Sequence, residues 1–155
     1  MTGYRTELAR VCAALNEQRA RYVVVGSRAL QLWGSSRATR DVDILIEPMT
    51  ANAARVVSAL SKLGYGDGGD WLAKEILANK ATIIGDNPKL DILTVAWTVH
   101  FRDAHAGATT FTLEGVDIPT MSLEHLIVSK RTGRLQDAAD IEVLEEIRRI
   151  RGEDG

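Results

Sequence analysis

The chain has one cysteine, three prolines and almost no charge bias, with 19 basic residues against 21 acidic ones and a formal charge of −2. A single thiol, Cys12, excludes an intrachain disulfide and fits a reducing compartment. It shares helical spacing with Leu8, Val11 and Leu15, so it reads as a core position rather than a nucleophile. The near-neutral balance supplies no global basic field, which argues against tight nonspecific nucleic-acid binding and leaves only a local patch open. No apolar run is long enough to suggest a membrane span, and residues 1–10 lack a signal-peptide pattern, so a cytoplasmic protein without a membrane partner is expected. His100, His105 and His125 have no metal-ligand spacing, and no basic–aromatic interleaving marks an RNA-binding sheet. Trp33, Trp71 and Trp97 are scattered and read as packing. There is no internal repeat, low-complexity tract or Pro/Gly-rich linker, so residues 1–155 read as one domain. That length suffices to bury about two thirds of the unfolded surface.

The apolar pattern predicts an amphipathic helix over residues 4–18 and a buried strand over 22–25. Ser27 is a candidate N-cap for a short helix to Trp33, and Thr50 for a helix ending near Gly64. Residues 41–47 read as a strand stopped by Pro48. A glycine-rich turn follows over 65–70, and residues 71–79 fit helix or strand equally. Residues 80–84 and 90–95 read as a strand pair around Gly85-Asp86-Asn87-Pro88. The polar stretch 98–107 is expected to be a loop, with strands at 109–113 and 116–118. Two helices close the chain, over 122–132 and 137–149. A mixed β-sheet flanked by helices, α/β or α+β, is the natural architecture.

The chemistry concentrates in Val23-Val24-Val25-Gly26-Ser27 and in Asp41-Val42-Asp43-Ile44-Leu45-Ile46. On an extended strand Asp41 and Asp43 point to one face, roughly 6.6 Å apart, and Val42 and Ile44 to the other. Two like charges at that distance repel by about 2–3 kcal/mol at an effective dielectric of ~20. A cation beside them relieves that repulsion, and oxygen ligands favour Mg²⁺ or Mn²⁺. Asp91 interrupts the apolar run Leu90-Asp91-Ile92-Leu93, where an unpartnered carboxylate is costly. If the two strands are neighbours, Asp41, Asp43 and Asp91 converge on one metal site, Asp91 acting as general base or as a metal ligand. Gly26 allows close backbone approach to a ligand, and Ser27 opens a helix whose free N–H groups suit phosphate. Arg37 and Arg40 are candidate phosphate contacts, or solvated surface cations. Lys130 either faces a phosphate or pairs with Asp137 or Asp140 to hold the closing helices together. It shares a face with Arg134 if its helix continues through Gly133.

The segment Val25-Gly26-Ser27-Arg28-Ala29-Leu30, followed by Gly34, Arg37, Thr39 and Asp41-Val42-Asp43-Ile44, resembles the core motif of the polymerase-β-like nucleotidyltransferase superfamily. More narrowly, the chain is similar to the AbiEii-like branch, which includes MenT-type toxins and small stand-alone homologues. Pro119, Ser122, Leu123, Glu124, Leu126, Ile127, Lys130, Arg134, Asp137, Asp140, Ile141 and Leu144 match that branch's closing helices. The resemblance spans residues 20–145. It implies a nucleotidyltransferase fold and Mg²⁺-dependent transfer of a nucleoside monophosphate from an NTP such as ATP, with release of pyrophosphate. By the same resemblance Asp41, Asp43 and Asp91 are the metal ligands and catalytic carboxylates, and Gly26, Ser27 and Lys130 hold the triphosphate. The acceptor is RNA or tRNA, a protein side chain or a small hydroxylated molecule, and an antitoxin-like partner protein is implied. Two other readings compete. One is a nucleotide-binding or regulatory module that catalyses nothing or acts with a partner protein, and the other a structural ion-pair cluster.

Overall fold

The run Tyr22-Val23-Val24-Val25 forms β1 (Tyr22–Val25), and all four residues are buried, as a strand covered on both faces requires. The structure, a computed structural model, describes residues 4–154 except 37, 67–68, 87 and 132–133. In chain order the elements are α1 (Glu7–Glu17), β1, α2 (Gly26–Trp33), β2 (Val42–Ile46), α3 (Thr50–Lys62), α4 (Asp70–Ala78), β3 (Ala81–Ile84) and β4 (Leu90–Leu93). They continue with β5 (Val95–Ala96), β6 (Val99–His100), α5 (Phe101–Ala106), β7 (Thr109–Leu113), β8 (Val116–Thr120), α6 (Leu123–Ser129) and α7 (Leu135–Asp154). Six strands form a mixed sheet in the order β3-β4-β2-β1-β8-β7, and β5-β6 is a separate hairpin. The β1–β2, β3–β4 and β7–β8 pairs are antiparallel, and the β2–β4 and β1–β8 pairs parallel.

One face of the sheet is closed. Val42, Ile44 and Ile46 of β2 and Leu90 and Ile92 of β4 lie on it and are buried. Tyr22 belongs to the same face through its pairing with Ile46, and its hydroxyl donates to Asn16 Oδ1 of α1 at 2.8 Å. The buried stripe of α1 includes Leu8, Val11, Cys12 and Leu15, each large apolar side chain contributing about 1.5–3 kcal/mol by leaving water. Cys12 is a core residue, and burial pushes its thiol up to about 12. The buried Asn52 of α3 joins the two central strands. It accepts from Arg21 N at 2.7 Å and donates to Arg21 O at 2.9 Å and Glu47 O at 3.0 Å.

Several local expectations are corrected. Ser27 is not an N-cap: α2 begins at Gly26, and its cap, Val25, makes no side-chain hydrogen bond. Thr50 likewise lies inside α3, capped by Met49 without a side-chain bond. Residues 71–79 resolve as helix, α4. The expected loop at 98–107 contains β6 and α5, because Phe101 and Ala104 bury one side of that segment. Lys130 and Arg134 share no helix, since α6 ends at Ser129 and α7 begins at Leu135. Of the tryptophans only Trp33 packs inward, donating to Met121 O at 2.9 Å and meeting Phe111 edge-on. Trp71 and Trp97 are exposed.

Candidate active site

The parallel register of β2 and β4 sets Asp43 directly opposite Asp91. Both side chains therefore stand on the face opposite Val42, Ile44 and Ile92. Among the described residues, Oδ1 of Asp43 and Oδ1 of Asp91 are buried without a hydrogen-bond partner. Burial is the largest cause that pushes the Asp43 carboxyl up, to about 8, followed by its hydrogen bond to Asp91 and repulsion from Asp91 and Asp41, while Lys130 opposes the rise. Two carboxyls this close disfavour the second negative charge, which is what keeps the Asp43 carboxyl raised.

Gly26 is what lets Asp43 sit there. Its φ is +67, and a Cβ at this position would collide with Asp43 Oδ2 while standing 3.1 Å from Cγ. Gly26→Ala therefore carries both left-handed strain and a displaced carboxylate. We expect a loss of about 2 kcal/mol of stability in a thermal melt, together with more than tenfold loss of any activity that uses Asp43.

Asp41, by contrast, has its half-exposed carboxylate 4.0 Å from Lys89 Nζ. Arg28, one residue beyond the glycine–serine pair, donates to Asp41 O at 3.3 Å and Arg40 O at 3.2 Å, pinning the entry to β2. Sequence reasoning gave Arg28 no such positioning role, because the bonds go to backbone carbonyls. Ser27 is half-buried in the first turn of α2 and Arg40 is exposed. Arg37 lies outside the described residues.

Lys130 is nearly buried, with Asp137 Oδ1 at 3.4 Å and Asp140 Oδ2 at 3.2 Å. Its ammonium also lies 6.0 Å from the ring centroid of Trp97. Arg134 reaches Asp137 Oδ2 at 2.8 Å from the solvent side. The ion pair between the closing helices is thus present, and its lysine is close enough to Asp43 to act on its charge.

Among the described residues no three His, Cys, Asp or Glu side chains converge as a ready-made metal cage. The Asp43–Asp91 pair nonetheless suits Mg²⁺ or Mn²⁺. Mg²⁺ is usually held by one or two carboxylates completed by water and substrate phosphates rather than by an all-protein cage. The two partnerless buried oxygens are the atoms that such an ion would satisfy.

A mixed sheet with a glycine–serine turn and facing strand carboxylates has the fold of the nucleotidyltransferases. It is similar to lincomycin-bound LnuA, a lincosamide antibiotic adenylyltransferase, at 18% identity over 92% of this chain and 98% of that one, with a TM-score of 0.62. It is also similar to TM1012, a candidate nucleotidyltransferase of Thermotoga maritima, at 18% identity over 94% of this chain and 91% of that one, with a TM-score of 0.55. No protein-family model matches the sequence, and no curated protein matches it. No described helix is long and apolar enough to cross a membrane.

Proposed function

We propose that this chain is a metal-dependent nucleotidyltransferase that transfers a nucleoside monophosphate from an NTP to an acceptor hydroxyl. The observation that carries this reading is the Asp43–Asp91 pair, held on one sheet face with a partnerless buried oxygen on each carboxyl. Asp43 and Asp91 would hold Mg²⁺ or Mn²⁺, with Asp41 joining them once its carboxylate leaves Lys89. The bound ion would lower the pKa of the attacking hydroxyl and offset charge on the phosphates. The free N–H groups at the start of α2, beginning at Gly26 and Ser27, are the donors offered to the triphosphate. Arg37, Arg40 and Lys130 are the cations assigned to it. Asp91 takes the acceptor proton.

Three acceptor classes follow from this reading: RNA or tRNA, a protein side chain, and a small hydroxylated molecule of the kind LnuA adenylylates. The similarity to the AbiEii/MenT branch adds a toxin–antitoxin role with an antitoxin-like partner, in the cytoplasm. The alternative is a nucleotide-binding module that is inactive alone. The pairing of Asp41 with Lys89 favours it, since the third carboxylate is then engaged elsewhere.

The test is transfer of label from each α-³²P NTP, with Mg²⁺, to total RNA, total protein, and a small-molecule panel of lincomycin and kanamycin. Label that vanishes with Asp41→Ala/Asp43→Ala establishes the transferase. Mg²⁺-dependent NTP binding without transfer selects the binding module, and absence of both selects the structural ion-pair cluster.

A further inference from the structure

The face that carries Asp43 and Asp91 is covered over the inner strands and open over the outer ones. On β2 the same face is closed at Leu45, which is fully buried. On the edge strand β3, Ile83 stands opposite Asp91 and Ala81 opposite Leu93. Residues paired across an antiparallel ladder share a face, so Ile83, Ala81 and Leu93 form an apolar strip that starts beside the carboxylates. Ile83 is 62% exposed, an unusual state for an isoleucine in a sheet.

The strip ends at Trp97. This indole is 45% exposed, and its backbone is left-handed at φ 56, a conformation that costs a bulky residue roughly 1–2 kcal/mol. With Leu93, Ala81, Val95, Thr98 and Lys80 it lines a cavity of about 510 Å³, within the range of small-molecule sites. One face of the indole lies under the Lys130 ammonium, 6.0 Å from the ring centroid, and this is the cation that acts on Asp43. Leu93, which lines the cavity, shares a sheet face with Asp91, two residues away on β4.

We infer that this strip, floored by Leu93 and Ile83 and walled by Trp97, is the acceptor site, and that it takes a small hydroxylated molecule with an apolar or sugar face rather than RNA. The inference rests on the transferase reading above. A polyanionic acceptor needs a row of cations to replace its counterions, and among the described residues that line the cavity Lys80 is the one with a charge. Three arginines, Arg21, Arg55 and Arg102, line a separate cavity with Glu47 at the far end of β2. A ring stacked on Trp97 gains the dispersion and C–H contacts that an exposed indole offers. Asp91 lies two residues from Leu93 on the same face, about 7 Å away, so a hydroxyl at the other end of a drug-sized molecule reaches it. In the step itself the acceptor oxygen forms a bond to the α-phosphorus and the bond to the bridging oxygen breaks. Pyrophosphate leaves with that electron pair, and the hydroxyl proton passes to Asp91.

The experiment offers total tRNA and the small-molecule panel together to the full chain with α-³²P ATP and Mg²⁺. It then compares wild type with Trp97→Ala, Trp97→Phe and Ile83→Ser. The expected result is label in the small molecule. Trp97→Ala should raise the acceptor KM more than tenfold and Ile83→Ser several-fold, Trp97→Phe should restore most of the affinity, and the Kd for a nonhydrolysable ATP analogue should stay within twofold. Label in tRNA, label in no acceptor while the analogue still binds, or a parallel shift of acceptor KM and nucleotide Kd overturns the inference. Failure of the wild type to bind the analogue overturns the transferase reading beneath it.

Discussion

Asp43→Asn is expected to abolish nucleotidyl transfer and at the same time to stabilise the metal-free protein at pH 8. Asp43 carries a carboxyl pushed up to about 8, first by burial and then by its contact with Asp91, against about 3.9 in an unfolded chain. Between those values the unfolded chain has released a proton that the folded chain still holds. Stability is therefore highest below about pH 4, falls as the pH rises toward 8, and levels off above it. Asparagine does not ionise, so it removes that slope. Calorimetry of the metal-free wild type should show the melting temperature falling from pH 5 to pH 8, with a flatter profile for Asp43→Asn. At pH 8 the variant should be more stable by about 2 kcal/mol, a figure well below the full linkage value because the site is partly solvated. Mg²⁺ should raise the wild-type melting temperature at pH 8 and leave the variant nearly unchanged. Transfer should drop by about 10³ or more, the usual cost of removing charge that stabilises the reacting centre. A variant that is less stable at pH 8, or that keeps a tenth of the activity, would contradict this account of the site.

Lys130→Ala should be among the most destabilising single changes in the molecule. Its side chain is 8% exposed and lies between two carboxylates that are themselves 3% and 7% exposed. Removing the ammonium leaves Asp137 and Asp140 in the interior without their shared cation, which costs about 3–5 kcal/mol. Arg134 limits the loss at Asp137, because its guanidinium contacts that carboxylate from outside. The expected result is a lower urea midpoint with unchanged slope. Lys130→Ala/Asp140→Asn should recover part of the loss, because a buried negative charge goes with the lysine. An unchanged midpoint for Lys130→Ala would mean that water already satisfies both carboxylates.

Much of the sheet was legible because its central strands are apolar in continuous runs. Tyr22–Val25 was bounded to the residue, whereas the pattern left open whether the two aspartate strands are neighbours, which the Asp43–Asp91 pairing answers. Local polarity misled over residues 98–107, where the short helix α5 buries only Phe101 and Ala104 and its exposed residues dominate the pattern. Ser27 and Thr50 are good capping residues by type, yet α2 starts two positions and α3 one position earlier than that role requires, with the extended residues Val25 and Met49 as their caps. The placement of Asp41 beside Lys89 depends on side-chain direction at a strand entry, which alternation alone does not fix. Ile83 and Trp97 gave no signal at all. The first faces Asp91 through the register of the β3–β4 hairpin, which the turn residues alone do not fix, and the second acquires its position from a hairpin two residues wide on each arm.

The direct opposition of Asp43 and Asp91 across a parallel ladder also bears on how the chain finds its native arrangement. Side chains on a strand alternate strictly, so a one-residue slip of β2 against its neighbours would turn Asp43 into the layer beneath α1 and move Ile44 to the face that carries the acidic pair. Such a slip is ordinarily opposed by the apolar mismatch alone. Here it would also strand a carboxylate in a dry interior, at a cost of several kcal/mol. The pair that marks the site thus doubles as a proofreading device for strand alignment. A sheet relieved of both charges keeps its apolar pattern but loses that second safeguard against closing out of step.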